Sequence, residues 1–358
     1  MIKAAIAAMC LTAASAGAAF AQTEIQWWHA MSGVNGDRIL KIANDFNASQ
    51  TEYKVVPSFK GSYADTMNAG IAAFRAGTAP DILQVFEVGT ATMMAAKGAV
   101  KPIYQLMAEQ NEPFDPKAYL PAVTGYYSTA KGEMLSFPFN SSTMVMWVNL
   151  DALKKAGIDT IPATWEDTWA DAQKLHDAGF KTCGISTGWT TWANIEELAA
   201  WHNEPLSTKA NGLDGFDTSL VFNTDKVVIE HWNNLVRYQK DKIYDYAGRT
   251  DEGTGRFTSG ECPLFLTSSA SYGAFKANAK FNYTAAPMPY YSNMPGAPQN
   301  SIIGGASLWV MAGKPADHYK GIAKFMAYLS KPDVQAWWHQ QTGYLPITTA
   351  AYTLSTEQ

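Results

Sequence analysis

The stretch STGWTTWANIEELAAW, residues 186–201, holds three tryptophans, and the first two, Trp189 and Trp192, are flanked by Gly188, Thr190 and Thr191 rather than by aliphatic residues. Indole rings on a Gly/Thr-rich lead-in suit a loop or first helical turn that offers flat walls to a small molecule. Ordinary packing explains the same residues, because tryptophan is usually well buried. Composition adds weight to the first reading: charged residues are only 16%, while Trp (12) and Tyr (17) are plentiful. Rings for walls and neutral donors for aim are what a concave site for a small polar molecule requires.

Catalytic patterns are poor by comparison. Ser128-Thr129-Ala130-Lys131 satisfies S-x-x-K, but neither the S-D-N nor the K-T-G companion is present. The chain contains no G-x-S-x-G elbow, no G-x-x-x-x-G-K-S/T loop and no H-E-x-x-H helix. Its six histidines are scattered, and His29, at the end of a strand, reads as a structural histidine. The separation of carboxylate pairs, which glycoside cleavage would need, is not written in a sequence. The expectation is a binding protein, not an enzyme, with no cofactor and no metal. A net charge of −5 without long basic runs argues against nucleic acid as a partner.

The elements that must position the tryptophans follow from periodicity. MIKAAIAAMCLTAASAGAAFAQ has the lone Lys3, short apolar run and Ala19-Phe20-Ala21 of a secretory signal peptide, with cleavage expected after Ala21 and export to the periplasm. Cys10 lies within that apolar run, without the surroundings of a lipidated cysteine. Beyond it remain Cys183 and Cys262, which an oxidising compartment permits to pair but which are equally readable as two buried thiols. Their number and spacing do not support zinc. TEIQWWHAM opens as a strand. Val34 to Ala48 is helical with Ile39, Ile42 and Phe46 in phase, YKVVPSF is a strand, and Tyr63 to Ala76 is helical with Met67, Ile71 and Phe74 on one face. DILQVFE then reads as a buried parallel strand, which makes a βαβαβ opening and an α/β fold. Further on, Met144 to Val148 form a strand and Leu150 to Ala156 a helix. Trp165, Trp169, Ala172 and Leu175 make a core stripe, SIIGGASLWVM is a strand, and Tyr319 to Leu329 is an amphipathic helix. With 358 residues and 47% hydrophobic content, two domains are expected, with ligand held in a crevice at the carboxyl ends of strands.

Four segments carry a resemblance. FKGSYADTMNAGIAAFRAGTAPDILQVFEVGTATMMAAKGAVKPI, SFPFNSSTMVMWVNLDALKKAGI, APQNSIIGGASLWVM and WWHQQTGYLPIT closely resemble the glycerol-3-phosphate branch of the extracellular solute-binding proteins, periplasmic receptors of Gram-negative ABC importers shaped like the maltose-binding protein. The resemblance implies a two-lobe periplasmic-binding-protein fold of the class II type, closing about a hinge. After the signal peptide (1–21), it assigns residues 22–137 and 285–332 to one lobe and 138–284 and 333–358 to the other. It implies glycerol-3-phosphate and glycerophosphodiesters such as glycerophosphocholine as ligands, a membrane permease with its ATPase as partners, and a monomer. A receptor for a neutral sugar is the alternative, since maltose-type relatives also use tryptophan walls. A hydrolase of glycerophosphodiesters would need a nucleophile or metal cluster that the sequence does not display.

Matching residue by residue, the resemblance places Tyr63, Glu87, Ser142, Trp189, Trp192, Ser268, Gly305 and Tyr344 at the ligand. Glu87 should face the polyol end, because a carboxylate is a poor neighbour for phosphate. Ser142, Ser268 and Tyr344 should donate hydrogen bonds, Gly305 should offer a backbone N–H, and the two indoles should wall off carbon or stack on a choline head. Members of the branch continue beyond TTAAYTLSTEQ and carry there an arginine that reaches the phosphate, so the resemblance implies a truncated reading of a longer protein. None of Arg38, Arg75, Arg237, Arg249 and Arg256 matches a phosphate position of the branch.

Overall fold

A computed structural model describes residues 22–356 apart from 213 and 216; the expected signal peptide, Cys10 and the last two residues lie outside the described residues. Among the described residues there are ten strands: β1 (Thr23–His29), β2 (Tyr53–Phe59), β3 (Ile82–Phe86), β4 (Val100–Lys101), β5 (Phe137–Asn149), β6 (Ile185–Thr187), β7 (Tyr244–Tyr246), β8 (Leu264–Ser268), β9 (Tyr283–Ala286) and β10 (Ile303–Met311). Their order is β2-β1-β3-β10-β5-β8-β6-β7, with β4 also on β10 and β9 also on β5. β1 runs parallel to β2 and β3, giving the expected βαβαβ opening, whereas β10 returns antiparallel between β3 and β5.

Two lobes share one strand. The first half of β5 pairs with β10 as far as Thr143, and from Met144 onward β5 pairs with β8 and β9 instead. The chain therefore crosses between the lobes in mid-strand, and crosses back in the segment between β9 and β10. A run such as TMVMWV, β-branched and aromatic with little polar interruption, suits a strand buried on both faces.

Each lobe has its own core. Ile25, Trp27, Ile39, Phe46, Phe139 and Phe325 form one; Met146, Trp165, Trp169, Leu175, Leu198 and Tyr291 form the other. Helix α1 (Gly33–Ser49) buries Ile39, Ile42, Ala43 and Phe46, as its spacing predicts, and helix Trp165–Asp177 buries the expected stripe. The stripe expected on helix α2 (Tyr63–Arg75) is displaced by one position: Thr66, Gly70 and Ala73 face inward, and Phe74 is 41% exposed. Small residues won because the helix lies close on β3, where a Cβ at Gly70 would stand 2.9 Å from a Leu83 methyl.

One sequence ambiguity is resolved. Cys183 and Cys262 form a disulfide with a Cα–Cα distance of 5.2 Å, joining the entries to β6 and β8. The final segment, assigned by resemblance to the second lobe, turns its buried side chains toward the first core. Trp338 on helix Pro332–Thr342 stacks on Phe139 (4.8 Å, 29°), and Tyr344 and Ile347 follow it there. No described helix is long and apolar enough to cross a membrane.

Candidate functional site

The site is built from element ends that meet where the lobes touch. On the first lobe, β3 ends in a 3-10 turn, Glu87–Gly89, which puts Glu87 at the carboxyl end of a parallel strand. Helix α2 begins beside it. Ser62 accepts from the Asp65 N–H while Asp65 accepts from the Ser62 N–H, a capping box that fixes Tyr63 as the first helical residue. The Tyr63 ring stacks on Phe86 at 5.5 Å and 5°. Its hydroxyl accepts from Asn140 Nδ2 at 2.9 Å, and Asn140 Oδ1 accepts in turn from Gln84 at 2.8 Å. Tyr344 reaches the same group of hydroxyls. Gly343, with φ of 81°, ends the preceding helix, Leu345 N–H binds the Ser141 carbonyl at 2.7 Å, and the Tyr344 ring lies parallel to Trp338 at 5.6 Å. The Tyr344 hydroxyl donates to Met31 Sδ at 3.5 Å, and burial raises both the Tyr63 and the Tyr344 phenol.

The second lobe supplies the indoles. Trp189 has φ of +52°, rare for a large side chain, and is held by its N–H to the Thr250 carbonyl at 2.6 Å. Its ring comes within 6.2 Å of Tyr63 across the lobe boundary. Trp192 opens a π-helical turn, Trp192–Glu197, and its ring covers Gly304 of β10: a Cβ there would stand 2.8 Å from Cη2. Trp192 is 8% exposed and its indole N–H has no partner.

Gly305 is glycine for two reasons: its φ is +99°, and an added Cβ would run into the Asn140 carbonyl. The Gly305 N–H, expected to be available to ligand, is directed at the Glu87 carboxyl. Burial is the main cause that pushes the Glu87 carboxyl up to about 8, and the nearby Glu196 adds to it. Ser142 lies opposite Gly304, buried in β5. Ser268 lies opposite Met144, but its hydroxyl already accepts the Ala270 N–H at 3.1 Å.

The eight residues singled out in the sequence lie around the lobe junction, and the ring contact of Tyr63 with Trp189 crosses it. Four others escaped notice: Asn140, Glu196, Glu197 and Tyr126. Asn140 left a signal, a polar N-S-S run inside a strand that is otherwise apolar. Glu196 and Glu197 left none, since the π-helical turn shifts their phase by about one residue from a regular helix. Tyr126 donates to the Glu87 carbonyl at 2.9 Å. The S-x-x-K run is a hairpin tip, closed by Gly132 N–H on the Thr129 carbonyl at 2.8 Å, with Lys131 in solvent. His29 is 3% exposed, takes the Met31 N–H on Nδ1, and burial lowers it to about 4. Among the described residues no group of three or more His, Cys, Asp or Glu could hold a metal ion.

The family profile described as bacterial extracellular solute-binding protein matches residues 41–357. The chain belongs to that family. The sn-glycerol-3-phosphate-binding periplasmic protein UgpB of Yersinia pseudotuberculosis is 49% identical over 351 residues, covering 97% of this chain and 79% of that one. UgpB of Pectobacterium atrosepticum is also 49% identical, over 100% of this chain and 80% of its own. Among solved structures, Mycobacterium tuberculosis UgpB in complex with glycerophosphocholine superposes with a TM-score of 0.79 at 20% identity, over 93% of this chain and 84% of that one. Maltose-bound MalE3 of T. maritima gives 0.77 at 17%, over 94% and 84%. The two-lobe α/β fold is thus that of the extracellular solute-binding proteins, and in this member the ring-lined junction occupies the position between the lobes.

Proposed function

We propose that this solute-binding protein is the periplasmic receptor of an ABC importer and captures sn-glycerol-3-phosphate and its diesters, glycerophosphocholine among them, between its lobes. The observation that carries the reading is the 49% identity to UgpB proteins across nearly the whole chain. The site chemistry supports it. Tyr63 and Tyr344 offer hydroxyls from one lobe, Trp189 and Trp192 offer flat apolar walls from the other, and the rings of Tyr63 and Trp189 lie 6.2 Å apart across the junction. Glu87, displaced upward to about 8, is mostly a neutral carboxyl at pH 7, able to both donate to and accept from a ligand hydroxyl. The ligand is passed unchanged, as a monomer's cargo, to the permease and its ATPase, and the first 21 residues serve as the export signal.

Titration of the exported protein with glycerol-3-phosphate, glycerophosphocholine and maltose, followed by tryptophan fluorescence, tests this. Saturable changes with both phosphate esters and none with maltose are expected. A response to maltose alone would replace the reading with a sugar receptor, and turnover of glycerophosphocholine would replace it with an enzyme.

A further inference from the structure

Gln84 and Asn140 are both fully buried, and two amides inside a sheet are costly unless their polar atoms are paired. Here each side-chain oxygen and nitrogen has a partner. The Ala30 N–H donates to Gln84 Oε1 at 2.8 Å, Gln84 Nε2 donates to Asn140 Oδ1 at 2.8 Å, and Asn140 Nδ2 donates to the Tyr63 hydroxyl at 2.9 Å. Sheet register brings the amides together. On β10, Leu308 stands opposite Gln84 of β3 and Ala306 opposite Asn140 of β5, so the two amides flank residues two apart on one face, with the small Ala306 between them. The register of β5 against β10 shifts between Ala306 and Ser307, a bulge beside Asn140 of the kind that re-aims a side chain.

This chain of donors has one direction. A side-chain amide can be turned end for end, but the Ala30 N–H can only donate. It therefore fixes Gln84 with its oxygen toward Ala30, and Gln84 in turn fixes Asn140 with its nitrogen toward Tyr63. Tyr63 receives a hydrogen bond at its oxygen from inside the lobe, and its own proton is turned away from Asn140. Were Asn140 reversed, its oxygen would draw that proton inward and leave Tyr63 with lone pairs only.

We infer that Gln84 and Asn140 are positioning residues that commit the Tyr63 hydroxyl to donate toward the ligand, so that this corner of the lobe junction selects an oxygen lone pair and rejects an ammonium group. The inference rests on the receptor reading and on the place of Tyr63 at the ligand. A donor aimed in advance needs no reorientation when ligand arrives, which is the gain that preorganisation brings to binding.

Calorimetric titration of wild type, Asn140→Asp and Gln84→Glu with glycerophosphocholine at a series of pH values tests it. Each variant keeps the size of the side chain but installs a carboxyl, which can still donate when protonated and only accepts when ionised. Ionised in Asn140→Asp, it takes the Tyr63 proton directly; ionised in Gln84→Glu, it turns Asn140 over, to the same end. Affinity relative to wild type is expected to fall about tenfold or more as pH rises from about 5 to about 9, and the fall to vanish when Tyr63→Phe is added to either variant. Glu87 and Tyr344, titratable neighbours of Tyr63, are common to all the proteins compared and cancel in the ratio. A ratio that stays within about twofold across that range, or a fall that persists undiminished without the Tyr63 hydroxyl, would overturn the inference. NMR spectra of isotope-labelled wild type and Tyr63→Phe need neither carboxyl variant: the Asn140 side-chain amide protons should shift, and unmoved ones would overturn the inference as well. Failure of wild type to bind the diester would overturn the receptor reading instead.

Discussion

Glu87 and Glu197 make the protein's response to pH a property of single side chains. Burial, assisted in both by Glu196, holds each at about 8 in the fold against an ordinary value of 4.5. Their contribution is fully present below about pH 4.5, where both states are protonated, and is lost as pH rises toward 8, because the unfolded chain ionises first. His231 and His29 work in the opposite sense. Burial lowers them to about 3 and about 4, so their contribution is present above 6.5 and lost as pH falls below it. The unliganded protein should be most stable in mildly acidic buffer, and Glu87→Gln should flatten the decline in melting temperature between about pH 6 and 8.5. An unchanged slope in that variant would show that Glu87 ionises normally. At Gly305, alanine meets both a positive φ and the Asn140 carbonyl, and should cost about 1–3 kcal/mol or more in urea unfolding. Trp192→Ala tests the ring itself. If the indole stacks on a quaternary ammonium, a contact of about 0.5–2 kcal/mol, glycerophosphocholine should lose more affinity than glycerol-3-phosphate. Equal losses would remove that role.

Among the elements, the disulfide is the most easily measured. Cys183 and Cys262 are fully buried and 79 residues apart in sequence, so their link constrains a long stretch of unfolded chain that includes helix Lys226–Lys240 and β7. Replacing both by serine should cost about 2–5 kcal/mol, read as a lowered urea midpoint, with an equal loss on reduction of wild type. The pair also marks the boundary of what was legible in advance. Helix α1 and helix Trp165–Asp177 could be read because their large apolar residues repeat at helical spacing. Helix α2 was read one position out of phase, because its inner face is Thr66, Gly70 and Ala73, and small residues at a close helix–strand contact give no hydrophobic signal. Tyr63, Glu87 and the tryptophan pair stood out through resemblance and through ring density. Asn140, Glu196 and Glu197 depend on which strands and turns come together, as does the cysteine pairing, and spacing along one chain does not encode that.

At the scale of the molecule, Glu197 connects the site to the hinge. It is fully buried on the second lobe, its Oε2 accepts the N–H of Ile302, just before β10, at 3.2 Å, and its Oε1 has no partner among the described residues. One side chain thus ties the second lobe to the return crossing that precedes β10. Glu197→Gln keeps an acceptor and should leave the solution dimensions unchanged, whereas Glu197→Leu strands the Ile302 N–H, at about 1–3 kcal/mol. Small-angle scattering of unliganded Glu197→Leu should show a larger radius of gyration; identical curves for the two variants would mean that the brace does not restrain the lobes.

The shared strand has a consequence for biogenesis. The first core is assembled from segments far apart in sequence: Trp27 and Ile39 emerge early, but Phe325, Trp338 and Ile347 follow only after β10. A nascent chain with β1 to β3 already synthesised still lacks β10, so its opening βαβαβ unit leaves the ribosome with an open sheet edge and an uncovered apolar face. Such a polypeptide cannot lock into a compact lobe before β10 has been synthesised. A chain interrupted before β10 should then be a target for chaperones and proteases, not a stable half-molecule.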